Sequence, residues 1–272
     1  MSERIGDLRP GTHDLAGLTS EGFAALVADA RPLVVLLPVG SVEPHGPHLS
    51  LVTDTVISLG ACERAARLLE DTGSVSGSGS ILARIAPAVP YGVTECAAAF
   101  AGAVSLPAAA LTGYLDAVIA GFLRTGVNHV CLVNNHLEPG HDRAVRAAIE
   151  GVPAGRASVA CPLTRRWART LSAEFKSGAC HAGEYETSIV MAREPALVDD
   201  DARRALPEVA ISLSDKLRAG ISDFSEMGLS RAYAGAPARA TAEEGERLLD
   251  LLATMIATEV REALEEARRH PA

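Results

Sequence analysis

Leu33-Val34-Val35-Leu36-Leu37-Pro38 runs into Val39-Gly40-Ser41-Val42-Glu43-Pro44-His45-Gly46-Pro47-His48, and Thr53-Asp54-Thr55 follows shortly after. The first six residues are an unbroken apolar run. Their number and β-branched content suit a strand covered on both faces, the condition of strands in a parallel sheet. The polar segment behind them is punctuated by Gly and Pro and sits at the strand's C-terminal end. Open α/β sheets bind their ligands there.

The pattern repeats along the chain. Further strands are expected over Ile81 to Ala86, His129 to Val133 and Ala157 to Cys161. Helices are expected over Thr19 to Ala30, Thr55 to Glu70, Pro107 to Thr125, Asp142 to Glu150 and Glu184 to Arg193. A long charged helix is expected over Thr241 to Arg269, where Thr241 and Glu244 have capping-box spacing. Asp199 to Ala240 reads as loops and short turns, and the Gly/Ser-rich stretch from Asp71 to Ser80 as a surface loop. Strands alternating with helices predict an α/β fold with a mostly parallel central sheet. With 48% hydrophobic residues in 272, the chain can bury a sizeable core as a single domain over residues 1–272. Aromatics are only 4%, so that core must be aliphatic.

Composition excludes some functions. The net charge is −9 and no basic stripe interleaves with aromatics, which argues against nucleic acid. The apolar runs are far too short to span a bilayer, and no apolar segment follows a basic start at Met1, so neither membrane nor secretion is expected. Cys62, Cys96, Cys131, Cys161 and Cys180 are scattered and odd in number, as reduced thiols of a cytoplasmic protein would be.

Chemistry concentrates in three places. Glu43, His45, His48 and Asp54 put carboxylates and imidazoles together behind the first strand. That donor mixture suits Zn²⁺ or Mn²⁺. His136 and Glu138, behind the strand at 129–133, repeat the arrangement of Glu43 and His45, two residues apart. Two such pairs sharing Asp54 would build a two-metal site with a bridging hydroxide as nucleophile. Each residue also has a plain reading: a loop His held by hydrogen bonds, or, for Glu138, a carboxylate at a helix N-terminus. The third place is Cys180-His181-Ala182-Gly183-Glu184-Tyr185-Glu186. His181 could act as a general acid and Glu186 as a metal ligand or its neighbour, while Glu184 reads as a first-turn helix carboxylate. His129 reads as a satisfied core residue, and His13, His141 and His270 as surface residues.

These segments also resemble a known family. Leu37 to Leu49 with Thr53-Asp54 resembles the opening motif of the creatininase (creatinine amidohydrolase) family. Pro90-Tyr91-Gly92, Phe100 to Ser105, Val133 to His136 and His181 to Ser188 resemble four further motifs, in the family's order. The resemblance spans about Leu33 to Met191. It implies a three-layer α/β/α sandwich, two divalent metal ions per chain, Zn²⁺ and/or Mn²⁺, and a homo-oligomer, often a hexamer. It places metal-binding residues at Glu43, His45, Asp54 and His136 and the catalytic His at His181, and it matches Glu138 to a carboxylate of the creatinine-hydrolysing branch. Together with the reading of the residues themselves, the expected metal ligands are Glu43, His45, Asp54, His136 and Glu138, and the expected catalytic residues His181, Glu138 and Glu186.

The departures are specific. Asn135 replaces a usual glycine, Pro139 an asparagine, Ala101 a proline and Ala103 a threonine. Cys180 stands where creatinine-hydrolysing members have glutamate, and Glu174 to Ala179 lacks their tryptophan; Trp167 lies further back. The expected activity is therefore metal-dependent hydrolysis of an amide, lactam or formamide C–N bond in a small molecule other than creatinine. The alternatives are trimming of a small peptide, a non-hydrolytic lyase or isomerase step, and a silent binding protein.

Overall fold

The computed structural model describes residues 11–71 and 80–269. Most of the Gly/Ser-rich stretch and His270 lie outside them. Four strands, β1 (Leu33–Val39), β2 (Leu82–Ile85), β3 (His129–Asn134) and β4 (Ala157–Ala160), form a sheet in the order β2-β1-β3-β4. All three pairings are parallel, as the apolar runs predicted. Val34 pairs with His129 and Val39 with Asn134. The C-terminal ends of β1 and β3 are therefore level, and the loops that follow them emerge side by side.

Alternation along the strands divides the core. Val34 and Leu36 of β1, with Cys131 and Val133 of β3, join one buried cluster. Leu33, Val35, Leu37 and Val39, with Val130 and Leu132, join another. In the central strands β1 and β3 each residue is buried whichever way it points, which only a sheet covered on both faces allows.

The helices are α1 (Ser20–Val27), α2 (Thr53–Glu70), α3 (Ala108–Arg124), α4 (Pro139–Ala147), α5 (Arg165–Ala168), α6 (Ala173–Ser177), α7 (Glu184–Arg193), α8 (Asp200–Arg204), α9 (Leu213–Arg218) and α10 (Ala242–Arg269). Helices α2, α7 and α10 pack together over one face, and α3 and α4 cover the other. The fold is the α/β fold expected, in three layers. Among the described residues no helix is long and apolar enough to cross a membrane.

Two boundaries matter for the site. Helix α2 begins at Thr53, so Asp54 lies in its first turn. Helix α4 begins at Pro139, earlier than Asp142, because proline is favoured where its missing N–H would be unpaired anyway. Glu138 is thus that helix's N-cap residue. The short helices α5 and α6 have too few residues for a periodic signal. A third apolar cluster, including Cys96, Ala179, Leu213, Phe224 and Leu229, ties the loops together above the strand ends.

Candidate active site

Glu43 and His45 lie in the loop after β1, Asp54 at the start of α2, His136 and Glu138 after β3, and Glu186 in the first turn of α7. All six are buried, with His45 fully enclosed. The loop after β1 reverses at Gly46, whose φ of +68° suits glycine. A Cβ there would also come within 2.8 Å of the His48 ring.

Hydrogen bonds orient both imidazoles. The His136 Nε2–H donates to the Val93 carbonyl at 2.7 Å. The His45 Nδ1–H donates to the Glu43 carbonyl at 3.1 Å. A carbonyl only accepts, so in each neutral ring the other nitrogen carries a lone pair. His136 Nδ1 faces Asp54 Oδ2 at 3.1 Å and Glu43 Oε1 at 3.2 Å. His45 Nε2 faces Asp54 Oδ1 at 3.3 Å, Glu186 Oε2 at 3.5 Å and Glu43 Oε1 at 3.6 Å. It has no hydrogen-bond partner among the described residues.

Lone pairs aimed at buried carboxylates repel unless a cation lies between them. Without metal, that cation is a proton on each ring. Burial opposes charging His45, but Asp54, Glu186 and Glu43 raise its pKa to about 10. His136 is likewise raised well above its usual range by Glu43 and Asp54 against the effect of burial. Burial works against the Asp54 carboxylate, yet His45 and His136 hold its pKa well below normal. The cluster is built to hold positive charge at its centre.

Neighbouring groups keep the carboxylates in place. Ser41 Oγ–H donates to Asp54 Oδ2 at 2.7 Å, and the Thr94 hydroxyl donates to Glu43 Oε2. Glu138 accepts the backbone N–H groups of Glu95 at 3.2 Å and Cys96 at 3.0 Å. Glu186 accepts from Ala182 N–H at 2.7 Å. Ala182 has a φ of +51°, uncommon for a residue with a Cβ, and this turn aims its N–H at the carboxylate. Ligand-capable atoms lie within 4.8 Å of one another in three overlapping triads: Glu43, His136 and Glu138; His45, Asp54 and Glu186; Glu43, His45 and His181.

His181 donates through Nε2–H to the Pro44 carbonyl at 3.0 Å and turns Nδ1 toward Glu43 Oε1 at 3.8 Å. Burial, then the neighbouring His45, lowers its pKa to about 4, so its ring is neutral near pH 7. Phe224 covers it, with ring centroids 4.5 Å apart. His48 stands outside the triads, bonded to Thr187 Oγ1 at 2.9 Å. His129 is the satisfied core residue expected, bonded to the Gly155 carbonyl and Ser158 Oγ. His141 departs from expectation. It is fully buried, accepts Val93 N–H at 3.2 Å and packs edge-on against His136 at 4.6 Å. Its isolated position in sequence gave no hint of this, because α4 turns it under the loop after β3.

Cys180 lines the cavity above the cluster, and burial with Glu186 nearby pushes its thiol well above the normal range. It is a protonated wall residue. Asn135 donates to Ser58 Oγ at 3.0 Å and pins the loop to α2. Sequence reasoning missed Thr94, the Val93 carbonyl and Phe224. No residue-type signal marks a backbone carbonyl or a lone Thr as part of a site.

The sequence profile of the creatininase family, creatinine amidohydrolase, matches residues 16–260. The chain belongs to the creatininase family. It is 31% identical over 225 residues to the mycofactocin precursor peptide peptidase of Mycolicibacterium smegmatis, covering 79% of each chain. It is 29% identical over 205 residues to the creatinine amidohydrolase of Pseudomonas putida, covering 68% of this chain and 73% of that one. A solved manganese creatininase superposes with a TM-score of 0.70 at 22% identity, covering 93% of this chain and 98% of that one. This creatininase-family amidohydrolase shares the fold of that structure.

Proposed function

We propose that the protein is a dinuclear metal-dependent amidohydrolase acting on an amide bond in a substrate larger than creatinine. One observation carries the metal part. The two oxygens of Asp54 face different histidines, Oδ1 toward His45 and Oδ2 toward His136, as a carboxylate shared by two cations would. Glu43, His136 and Glu138 would surround one ion, and His45 and Glu186 the other. The donors, carboxylate oxygen and imidazole nitrogen, fit Zn²⁺ and Mn²⁺, and the partnerless His45 Nε2 needs such an acceptor for its lone pair.

Bound divalent ions would polarise the substrate carbonyl and lower the pKa of water at the site. His181 supplies the proton movement. Its Nδ1 can take a proton as water attacks and return it to the departing nitrogen, while the Pro44 carbonyl holds the ring through Nε2–H. The buried, apolar surroundings keep bulk water from competing.

The substrate reading rests on the cavity above the cluster. It has a volume of about 510 Å³, within the range that takes drug-sized ligands. A single small ring such as creatinine would leave most of it empty. Of the substrate classes raised by the sequence, a short peptide or comparable acylated amine fits this space better than a small lactam or formamide. The relation to a peptide peptidase points the same way.

The test is metal content by elemental mass spectrometry, for wild type and Asp54→Ala, followed by a panel of cyclic amides, formamides and short peptides. About two ions per chain, lost in the variant, with peptide cleavage, is the expected result. Failure to bind Zn²⁺ or Mn²⁺ at millimolar concentration would sink the proposal. Product without ¹⁸O from labelled water would replace hydrolysis by a lyase or isomerase step. We propose a homo-oligomer, as large as a hexamer, which light scattering would measure.

A further inference from the structure

The floor of the cavity carries the acid–imidazole cluster, but its walls and mouth have a different character. Leu137, Leu163, Phe175, Leu213, Leu217 and Phe224 line its sides. An apolar body placed there would be desolvated on several sides, which favours aliphatic or aromatic groups over polar ones. The mouth adds cations. Arg143 on α4 and Lys176 on α6 both line the cavity from exposed positions.

These two cations are free. Among the described residues, neither has an ion pair or a side-chain hydrogen bond. Their neighbours differ: Arg218 at the same mouth is engaged by Asp215 at 3.0 Å, and Asp142 is engaged through Oδ2 by Arg146 at 2.9 Å. Acidic groups outnumber basic ones in the chain, and among the described residues twelve of the 21 arginines are paired with a carboxylate. Two unpaired cations bordering an apolar cavity in an acidic protein form a local positive rim, where an anion gains both attraction and hydrogen-bond donors.

We infer that the substrate carries a carboxylate, held at the cavity mouth by Arg143 and Lys176, with an apolar body along the walls and its scissile amide over the cluster. This rests on the amidohydrolase reading above and narrows its substrate class to acylated amino acids and short apolar peptides with a free acid group. The carboxylate can be a peptide C-terminus or an acidic side chain; either satisfies the same two cations.

The test uses the full-length, metal-loaded protein and three probes: acetyl-leucyl-phenylalanine, its C-terminal amide, and acetyl-glutamyl-leucyl-phenylalanine amide. Binding is measured by calorimetry and cleavage by chromatography. The proteins are wild type, the double variant Arg143→Ala with Lys176→Ala, and Arg143→Lys. Both positions are exposed, so the variants should keep the wild-type melting temperature, which is measured first. Wild type should bind the free acid roughly tenfold more tightly than the amide, with the advantage shrinking as salt rises. The double variant should lose that preference, and Arg143→Lys should keep most of it. Tight binding of the glutamyl amide would identify a side-chain acid as a sufficient source, and weak binding a terminal one; both retain the cation pair. Equal binding of acid and amide by wild type, or a preference that survives in the double variant, would overturn the inference. Selective binding of acids without cleavage of any probe would count against the hydrolase reading while leaving the anion subsite in place.

Discussion

His136 gives its Nε2 proton to the backbone carbonyl of Val93 at 2.7 Å, and that bond decides which of its nitrogens faces Asp54 and Glu43. A side chain could be replaced or could rotate, whereas this carbonyl is held in the loop that also carries Thr94, the hydrogen-bond donor to Glu43. Ring direction and carboxylate position are thus set by one short segment.

Metal binding should stabilise the protein strongly, because the cluster holds mutually repelling groups that a cation reconciles. A ligand that binds only the folded state at about a thousand times its Kd adds roughly 4 kcal/mol. Chelation should therefore lower the melting temperature and added Zn²⁺ or Mn²⁺ should restore it. Asp54→Ala should show neither change. Differential scanning fluorimetry of both proteins, with and without metal, makes the comparison.

Glu174 should behave as a positioning residue for Glu186. Its Oε1 accepts Tyr185 N–H at 2.8 Å and its Oε2 accepts Ala236 N–H at 2.7 Å. Gly183 and Gly235 leave room for the carboxylate, since a Cβ on either would overlap it. Glu174→Ala would leave buried donors unpaired, at about 1–3 kcal/mol, and would loosen the first turn of α7. Expected are a lower urea midpoint and weaker metal binding, partly rescued by Glu174→Gln. Unchanged metal affinity in Glu174→Ala would show that Glu186 is held by Ala182 alone.

Gly245 should not tolerate alanine although it lies inside a helix. A Cβ there would overlap the Ser188 carbonyl oxygen and sit 2.8 Å from the Ala192 side chain, because α10 crosses α7 at this point. Helix propensity would favour alanine by up to about 1 kcal/mol, but overpacking typically costs about 1–3 kcal/mol. Gly245→Ala should therefore lower stability in denaturant titrations, and a gain would mean that the two helices can separate at little cost.

His129 should make stability fall in mild acid. Burial lowers its pKa from 6.5 to about 4, so the unfolded chain binds more protons between those values. Its contribution is complete above the unfolded pKa and is lost as pH falls toward the folded one. Between about pH 7.5 and about pH 5 the loss is on the order of 2 kcal/mol. Urea unfolding of metal-free wild type and His129→Gln at both pH values should show the smaller pH effect in the variant.

Much of this was legible in the order of residues. Leu33 to Val39 is apolar at every position because both faces of β1 are covered, and such a run needs no tertiary information to be read as a buried strand. Glu43, His45, Asp54 and His136 were recognisable because donor-rich clusters followed predicted strands, where parallel sheets open their binding crevices.

Chain order could not say which carboxylate goes with which histidine. That Glu138 falls beside Glu43 and His136, and Glu186 beside His45 and Asp54, follows from the level register of β1 and β3 and from α7 packing on α2. The same holds for His141, which reads as a surface residue until α4 folds it beneath His136. Local pattern specifies elements, because apolar periodicity and turn residues act over a few positions. Pairing across the site depends on contacts between segments more than a hundred residues apart, such as the 137-residue separation between His181 and Pro44. Only the packed sheet and its covering helices bring those together.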